Sequence, residues 1–540
     1  MDHIHISRDF PIYKKVEVLV VGGGPGGVAA AFAAAKNGAQ TMIVERTEFL
    51  GGNMGQGLVM SVHGYRSDQD YMAKKLPCSD WSNPLVVKTP VTMEIYNRIL
   101  ARGGTAFPER RNDPSLRENV DEEVVVYVLD QMAKELGIEV LFDTVAFDAV
   151  MEGDKIVGVV IANKSGPQVI LADVIIDCSA DADIAARAGA EYMFGDEEFG
   201  RPHGISLLFE MGGIDFERFF SYLKNRPVPT PEEKAALKQD IIKYTNGGVK
   251  SPDAVFFMGG QKGESHSTDG QMHMEGKHLT WEEQEQAYRE GKFLSLRPCV
   301  DAEWIEYLKE HPETPFMPNT LAPEPMYPWP PAFTWYGIVR NGKVRYDQAV
   351  SGVHECFVDP TNAAELSKAL VTCREINQAY INFFREKIPG FENAYIYKTG
   401  NYGGRESRQI IGEYVLTLQD LADGTWFDDT IAVLWRANNL HLLTGQKGQR
   451  MWFVPQRKFT VPYRCLVPKT VDNLLIGGRP ISKVHAVRCS SMVPCMQYGE
   501  ACGAAAAVCI KNGTNPRNVN VYEVQTILGL QDGRDNNRLD

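Results

Sequence analysis

An α/β fold with a parallel sheet at its centre is predicted by three observations. Residues 16–21 (VEVLVV) form a short β-branched apolar run, residues 25–36 (PGGVAAAFAAAK) read as a small-residue helix, and residues 40–45 (QTMIVE) form a second apolar run. The helix closes at Asn37-Gly38, so the three segments make a βαβ unit. The turn joining the first strand to the helix holds Gly22, Gly24 and Gly27 in the spacing G-x-G-x-x-G, with Pro25 and Gly26 at the helix mouth. In that context the first glycine permits a tight turn, the second lets a diphosphate reach the backbone, and the third lets helix and strand pack closely. The helix N-terminus adds unpaired N–H groups and the positive end of a dipole. The fold class is therefore Rossmann-like.

The remaining elements follow in order. Residues 122–136 suit an amphipathic helix, residues 138–142 a strand, and residues 145–150 and 155–162 a β-meander that begins at Val145. Residues 169–177 (VILADVIID) return to a buried strand. Residues 197–331 lose this rhythm and become rich in Pro, Gly, Met and aromatics, as expected of part of a separate lobe. Amphipathic helix resumes at residues 362–387, residues 404–422 mix polar turns with a helical pattern, residues 471–476 (VDNLLI) form a last buried strand, and residues 499–510 an Ala/Cys/Gly helix. No internal repeat or low-complexity segment occurs. At 540 residues, more than one lobe is expected.

Composition narrows the function. The chain is 44% hydrophobic and 23% charged, with a net charge of -13 and no basic tail or stripe, which argues against nucleic acid as a partner. The N-terminus lacks an apolar leader, and no apolar run approaches the roughly 18 residues of a membrane span, so a cytoplasmic location is expected. Ten cysteines with no CxxC pair offer neither zinc-ribbon nor iron–sulfur spacing. No metal is expected, and any electrons must reside on an organic cofactor.

Glu45 lies 23 residues beyond Gly22, at the end of the second strand, where a carboxylate accepts bonds from ribose hydroxyls. An acid there favours a 2'-OH over a 2'-phosphate, hence FAD or NAD over NADP. The segment Arg46-Thr47-Glu48-Phe49-Leu50-Gly51-Gly52-Asn53-Met54-Gly55-Gln56-Gly57 is a second glycine-rich loop, which suits a chain wrapping a long buried cofactor and so selects FAD.

The blocks VVGGGPGG, ERTEFLGG, IIDCSADAD, GGRESRQIIGEYVL, VPYRCLVPKTVDNLLIGGRPIS and VPCMQYGEACGAAAA resemble those of FAD-dependent oxidoreductases related to the fumarate reductase and succinate dehydrogenase flavoproteins. The likeness spans nearly the whole chain and is weakest between about residues 210 and 330. It implies a glutathione-reductase-type FAD-binding domain with a β-meander, assembled from residues 1–195 and 396–540, and an inserted α+β substrate or cap domain over residues 196–395. Where the family carries Ala-Thr-Gly-Asp, this chain has Cys178-Ser179-Ala180-Asp181, small enough to preserve close approach. The resemblance also brings Gly478 and Arg479 near the ribityl and pyrophosphate. It aims a helix N-terminus, starting near Ser490 and Ser491 and carrying Cys495 and Met496, at the flavin N1 and C2 carbonyl. Cys495, Cys502 and Cys509 recur every seven residues, as close packing on one helix face would produce.

Candidate groups for the reacting end are His485 and Arg488, placed where fumarate reductase relatives hold a substrate carboxylate, although the His-to-Arg spacing is one residue shorter. Arg405 in GGRESR is either an anion contact or a member of an ion-pair network with Glu406 and Arg408. His63 and Tyr65 in MSVHGY are candidates for proton donors or a covalent flavin anchor, or are structural. The aromatic stretch from Met326 to Tyr336 is either an apolar wall or a packed Pro-rich loop. The expected activity is hydride transfer between flavin N5 and a small organic substrate, at a carbon–carbon bond beside a carbonyl or carboxylate. The alternatives are an oxidase or dehydrogenase of CH-OH or CH-NH groups, and a flavin subunit passing electrons to an external donor or acceptor; a homo-oligomer stays open.

Overall fold

The computed structural model describes residues 4–5, 7–59, 89–105, 120–196, 200–227, 230–244, 273–274, 277–278, 281–291, 295–296, 300–318, 327–328, 335–336, 338–434 and 458–530. The first half of the chain supplies β1 (Ile12–Val21), α1 (Pro25–Lys36), β2 (Thr41–Val44), β3 (Glu139–Leu141), β4 (Val145–Glu152), β5 (Lys155–Asn163) and β6 (Gly166–Asp177). The strands stand in the order β3-β2-β1-β6-β5-β4, parallel from β3 through β6 and antiparallel through the meander. The strand Leu474–Ile476 returns some 300 residues later in sequence to pair in parallel with Ile175, Ile176 and Asp177, past the point where β5 leaves β6. The sheet is thus mixed, and two distant chain segments complete it.

Val18, Leu19, Val20 and Val21 are all buried, which is why that run carries no polar alternation. Helix α1 packs against the helix Met492–Asn512 at backbone distance. A Cβ on Gly499 would sit 1.9 Å from the Gly26 carbonyl oxygen, and one on Gly503 would sit 2.0 Å from that of Ala30. Only small residues permit this approach. Around this pair and the sheet lies one hydrophobic core.

A second core forms around β8 (Ile205–Gly212), buried along its whole length between the antiparallel strands Gln348–Cys356 and Tyr395–Thr399. The 25-residue helix Ala363–Lys387, capped by the Asn362 side chain, supplies Tyr380, Phe383 and Phe384 to it. Arg340 ties the two cores together by donating to both Glu122 oxygens at 2.7 Å and to Glu210 at 3.1 Å.

Several expectations change at their edges. The last buried strand shrinks to Leu474–Ile476 because Asn473 turns left-handed (φ +61), and the Ala/Cys/Gly helix extends to Met492–Asn512. Residues 404–422 are mostly not helical. Arg408–Ile410 (β7's partner, β7 being Tyr192–Phe194) uses its backbone in a strand ladder, and helix exists only over Leu418–Asp423. That helix starts at a Thr417/Asp420 capping box and stops at Gly424 in the left-handed region. Among the described residues no helix is long and apolar enough to cross a membrane.

Candidate active site

A cavity of about 520 Å³ runs along the carboxyl ends of the parallel strands, the place where open α/β sheets bind ligands. At one end is the fingerprint turn. Gly22 has φ +98, and a Cβ there would meet the Cys178 carbonyl oxygen at 2.4 Å; a Cβ on Gly27 would lie 1.8 Å from the Gly22 oxygen. Those two glycines are required by the protein's own backbone. Gly24 differs: its φ of -68 suits any residue, and no atom lies within 4 Å of a Cβ built on it. Gly24 borders the cavity with Pro25 and Gly26, at the start of a helix with no side-chain cap. The protein leaves this spot bare for something it does not itself supply.

Glu45 lines the same end, 8% exposed. One carboxylate oxygen accepts from the Gly23 N–H at 2.6 Å, and the other from the Thr47 N–H at 2.8 Å and hydroxyl at 2.9 Å. Sequence reasoning missed Gly23 and Thr47 because neither belongs to the motif. Arg46 donates to the Tyr402 hydroxyl at 3.0 Å and stacks 5.2 Å from its ring. The second glycine loop turns at Gly51 (φ +100) and Gly52 (φ +50), and the Gly51 N–H donates to Gly23 O at 2.8 Å, so the two glycine loops pack together. Gly52, Asn53 and Gly57 line the cavity, while Gly51 and Met54 support it from behind.

The block after β6 forms the floor. Buried Asp177 accepts from Ser179 N–H (2.9 Å), Ser179 Oγ (2.6 Å) and Ala185 N–H (2.8 Å), which bends the chain so that Ala180 takes φ +78 and Ala182 φ +53. Left-handed alanines are strained, and Ala180 lies on the cavity wall with Ser179 and Asp181. Asp183 also reaches the wall. Burial, with Asp181 and Asp177, raises its carboxyl to about 6 against the pull of Arg408, 2.8 Å away. Arg479 bridges to Asp181 at 2.8 Å and to the Gly404 carbonyl, and Val145 enters the wall from the meander.

Gly478 (φ +81), Ser490, Ser491 and Cys495 continue the wall, whereas Met496 is fully buried behind it. Ser491 is the N-cap residue of Met492–Asn512 but makes no side-chain cap bond. Its buried Oγ, and the buried Nε of Arg479, find no hydrogen-bond partner among the described residues. Both line the cavity, as donors waiting for a polar ligand would. Burial pushes the Cys495 thiol up to about 12 and that of Cys509 to about 11, so these are packing residues, not nucleophiles, at neutral pH.

Of the candidates for the reacting end, Arg405 and Arg488 line the cavity and His485 does not. His485 is 1% exposed, its ring set edge-on to that of His203 at 4.4 Å. His203 Nδ1 stands 3.0 Å from Glu406, and Lys483 Nζ 3.8 Å from the other Glu406 oxygen; all four residues are buried. Burial alone would raise Glu406, but Lys483, His203 and Arg488 outweigh it and hold the carboxyl well below the usual range. Burial, aided by His203 and Lys483, drives His485 down to about 2, and burial also lowers His203. The His485 imidazole is therefore neutral at physiological pH. Within the Arg405, Glu406 and Arg408 triplet, Arg405 donates to Gly204 O at 2.6 Å, Glu406 faces the Lys483 ammonium, and Arg408 pairs with Asp183. His63, Tyr65 and most of the aromatic stretch from Met326 to Tyr336 lie outside the described residues.

The bare Gly24, the uncapped helix mouths and the orphaned Arg479 Nε and Ser491 Oγ together fit a dinucleotide with a polar ring system. The chain belongs to the FAD dependent oxidoreductase family, whose model matches residues 17–528. It is an FAD-dependent oxidoreductase, and FAD is its cofactor. Digeranylgeranylglycerophospholipid reductase 3 of Methanosphaera stadtmanae is 28% identical over 171 residues, covering 29% of this chain and 40% of that protein. Thiamine thiazole synthase of Aeropyrum pernix is 30% identical over 149 residues, covering 28% of this chain and 44% of that protein. The chain thus spans about two fifths of the length of these relatives. Among solved structures, a geranylgeranyl bacteriochlorophyll reductase-like protein from Thermoplasma acidophilum aligns over 96% of this chain and 84% of its own, at 12% identity and a TM-score of 0.38.

Proposed function

We propose that this flavoprotein oxidises or reduces a small organic molecule at a carbon–carbon bond next to a carbonyl or carboxylate, as a relative of the fumarate reductase flavoproteins would. When bound, FAD supplies the hydride acceptor or donor at N5. The observation that supports the reading is that one cavity joins the glycine turn to a wall carrying Arg405 and Arg488, so cofactor and substrate share a continuous space.

In this reading Gly22, Gly24, Pro25, Gly26 and Gly27 cradle the diphosphate and Glu45 takes a ribose hydroxyl. Arg46, Gly51, Gly52, Asn53, Met54 and Gly57 wrap the adenosine side and the ribityl, with Val145, Ser179, Ala180 and Asp181 beneath. Gly478, Arg479, Cys495 and Met496 surround the ring's polar edge. There the N-terminus of Met492–Asn512 stabilises negative charge by about 0.3 to 2 kcal/mol. Arg405 and Arg488 polarise the activating oxygen of the substrate. His485 acts through His203 and Glu406 as a positioning residue, because it stands one layer behind the wall. His63 and Tyr65 stay candidates for proton donors or a covalent flavin anchor, with a structural role for the histidine as the alternative. We assign residues 1–195 and 396–540 to the cofactor domain and 196–395 to the substrate domain, consistent with the two separate hydrophobic cores.

The test is anaerobic photoreduction of the purified yellow protein, followed by addition of enones, enoates and quinones. Reoxidation of the flavin by an enone or enoate faster than by O2 is expected. Rapid reoxidation by O2 alone, with peroxide released, would replace this reading with an oxidase.

A further inference from the structure

The cavity has a second wall that no motif accounts for. β8 alternates its side chains, so Ser206 and Leu208 share a face, and its pairing sets Gly352 opposite Leu208 and Val350 opposite Glu210 on that same face. Leu208 and Val350 join Leu58 and Ile338 in a small apolar cluster outside both main cores, and Val59 packs against this cluster and against the core around the sheet. Ser206, Leu208, Val350, Leu58 and Val59 all border the cavity. Leu58 is held there with φ +55, a conformation a bulky residue rarely adopts.

Ser206 stands at one end of this wall. Its backbone is locked to Gly403 by bonds of 2.9 and 2.8 Å, two residues from Arg405 in sequence. Its side chain is 5% exposed, and its Oγ has no hydrogen-bond partner among the described residues. A buried hydroxyl left unpaired costs stability, so its presence beside an apolar wall points to a ligand atom that completes it. Of the nearby cations, Arg479 pairs with Asp181 at 2.8 Å and Arg405 donates to Gly204 O at 2.6 Å, while Arg488 lines the same cavity and can polarise the oxygen that Ser206 binds.

We propose that Ser206 and the Leu58, Leu208 and Val350 wall are the specificity surface of the active site, selecting a neutral carbonyl compound. Its carbon skeleton lies along the three apolar side chains and its carbonyl oxygen accepts the hydrogen bond of Ser206 Oγ. Two residues of strand, about 7 Å, separate Ser206 from Leu208, room for a conjugated chain or one ring between them. This inference rests on the proposed carbon–carbon chemistry and narrows its substrate from carboxylates and carbonyls to the latter.

The test uses the FAD-loaded protein and two probes of similar shape, trans-4-phenylbut-3-en-2-one and its hydrocarbon counterpart trans-β-methylstyrene. Dissociation constants are read by calorimetry and by perturbation of the flavin absorbance. Ser206→Ala should bind the enone about 3- to 10-fold more weakly, bind the hydrocarbon unchanged, keep its FAD, and unfold at the wild-type midpoint or above it. Val350→Thr, equal in volume, should weaken both probes alike. Equal effects of Ser206→Ala on both probes, no effect on the enone, loss of FAD from that variant, or failure of the yellow wild type to bind the enone would each overturn the inference. In those cases an enoate that still reoxidises the reduced flavin leaves the broader proposal standing. A wild type that binds the enone with the expected Ser206 dependence yet is reoxidised only by O2 sinks the broader proposal instead.

Discussion

Replacing Gly24 by valine separates what the fold needs from what the cofactor needs. The backbone at Gly24 is extended, and a Cβ there has no protein atom beyond its chain neighbours within 4 Å, so the branch point of the new side chain meets no steric obstacle. The fold loses only some helix-capping quality, about 1 kcal/mol. The side chain instead enters the space assigned to the diphosphate. Displacing two charge-assisted N–H to phosphate bonds, at about 1.5 to 3 kcal/mol each, weakens FAD by about 3 to 6 kcal/mol, or roughly 100- to 10,000-fold in Kd. The assay is FAD stoichiometry after gel filtration, with the thermal midpoint of flavin-stripped wild type and variant compared. Gly24→Val should be colourless and nearly as stable as stripped wild type. Gly27→Ala is the contrast: its Cβ would overlap the Gly22 oxygen at 1.8 Å, so both midpoint and flavin should be lost. Stoichiometric FAD in Gly24→Val would refute the placement of the diphosphate.

Other outcomes follow from the same geometry. Glu45→Ala removes the acceptor for Gly23 N–H and both Thr47 donors, and should weaken FAD about 10- to 100-fold by calorimetry. Lys483→Met strips Glu406 of its closest cation and should cost about 3 to 5 kcal/mol in urea unfolding, much of it restored by adding Glu406→Gln. His485 has a folded pKa depressed from about 6.5 to about 2, so the unfolded chain binds a proton that the folded one refuses. Its contribution is fully present above about pH 6.5 and declines below it; wild type should lose stability relative to His485→Phe by about 1.4 kcal/mol per pH unit. A pH-independent difference would show that folding leaves the His485 pKa where it is in the unfolded chain. At neutral pH, His485→Ala should keep its colour and lose turnover through kcat more than KM.

The fingerprint turn was readable because all its requirements are local: a strand, three glycines and a helix lie within about 20 residues of one another. Glu45 was readable for the same reason. The partners of His485 were not, because His203 and Glu406 reach it from segments 282 and 79 residues away, and no short-range pattern encodes that meeting. The wall of Leu208 and Val350 was invisible because an inward-facing strand residue looks the same whether it faces a core or a cavity. Residues 404–422 misled because a helical polar pattern was outweighed by ladder bonding to β7 and by glycines at 403 and 404.

The contact between α1 and Met492–Asn512 has a consequence for biosynthesis. Helix α1, whose N-terminus borders the cavity, rests on Gly499 and Gly503, residues the ribosome adds more than 450 positions after it has finished α1. Until then the small-residue face of α1 that meets Met492–Asn512 stays uncovered, although its other sides already touch β1 and β2. A chain cut short upstream of Gly499 is therefore expected to expose that face of α1 and to aggregate.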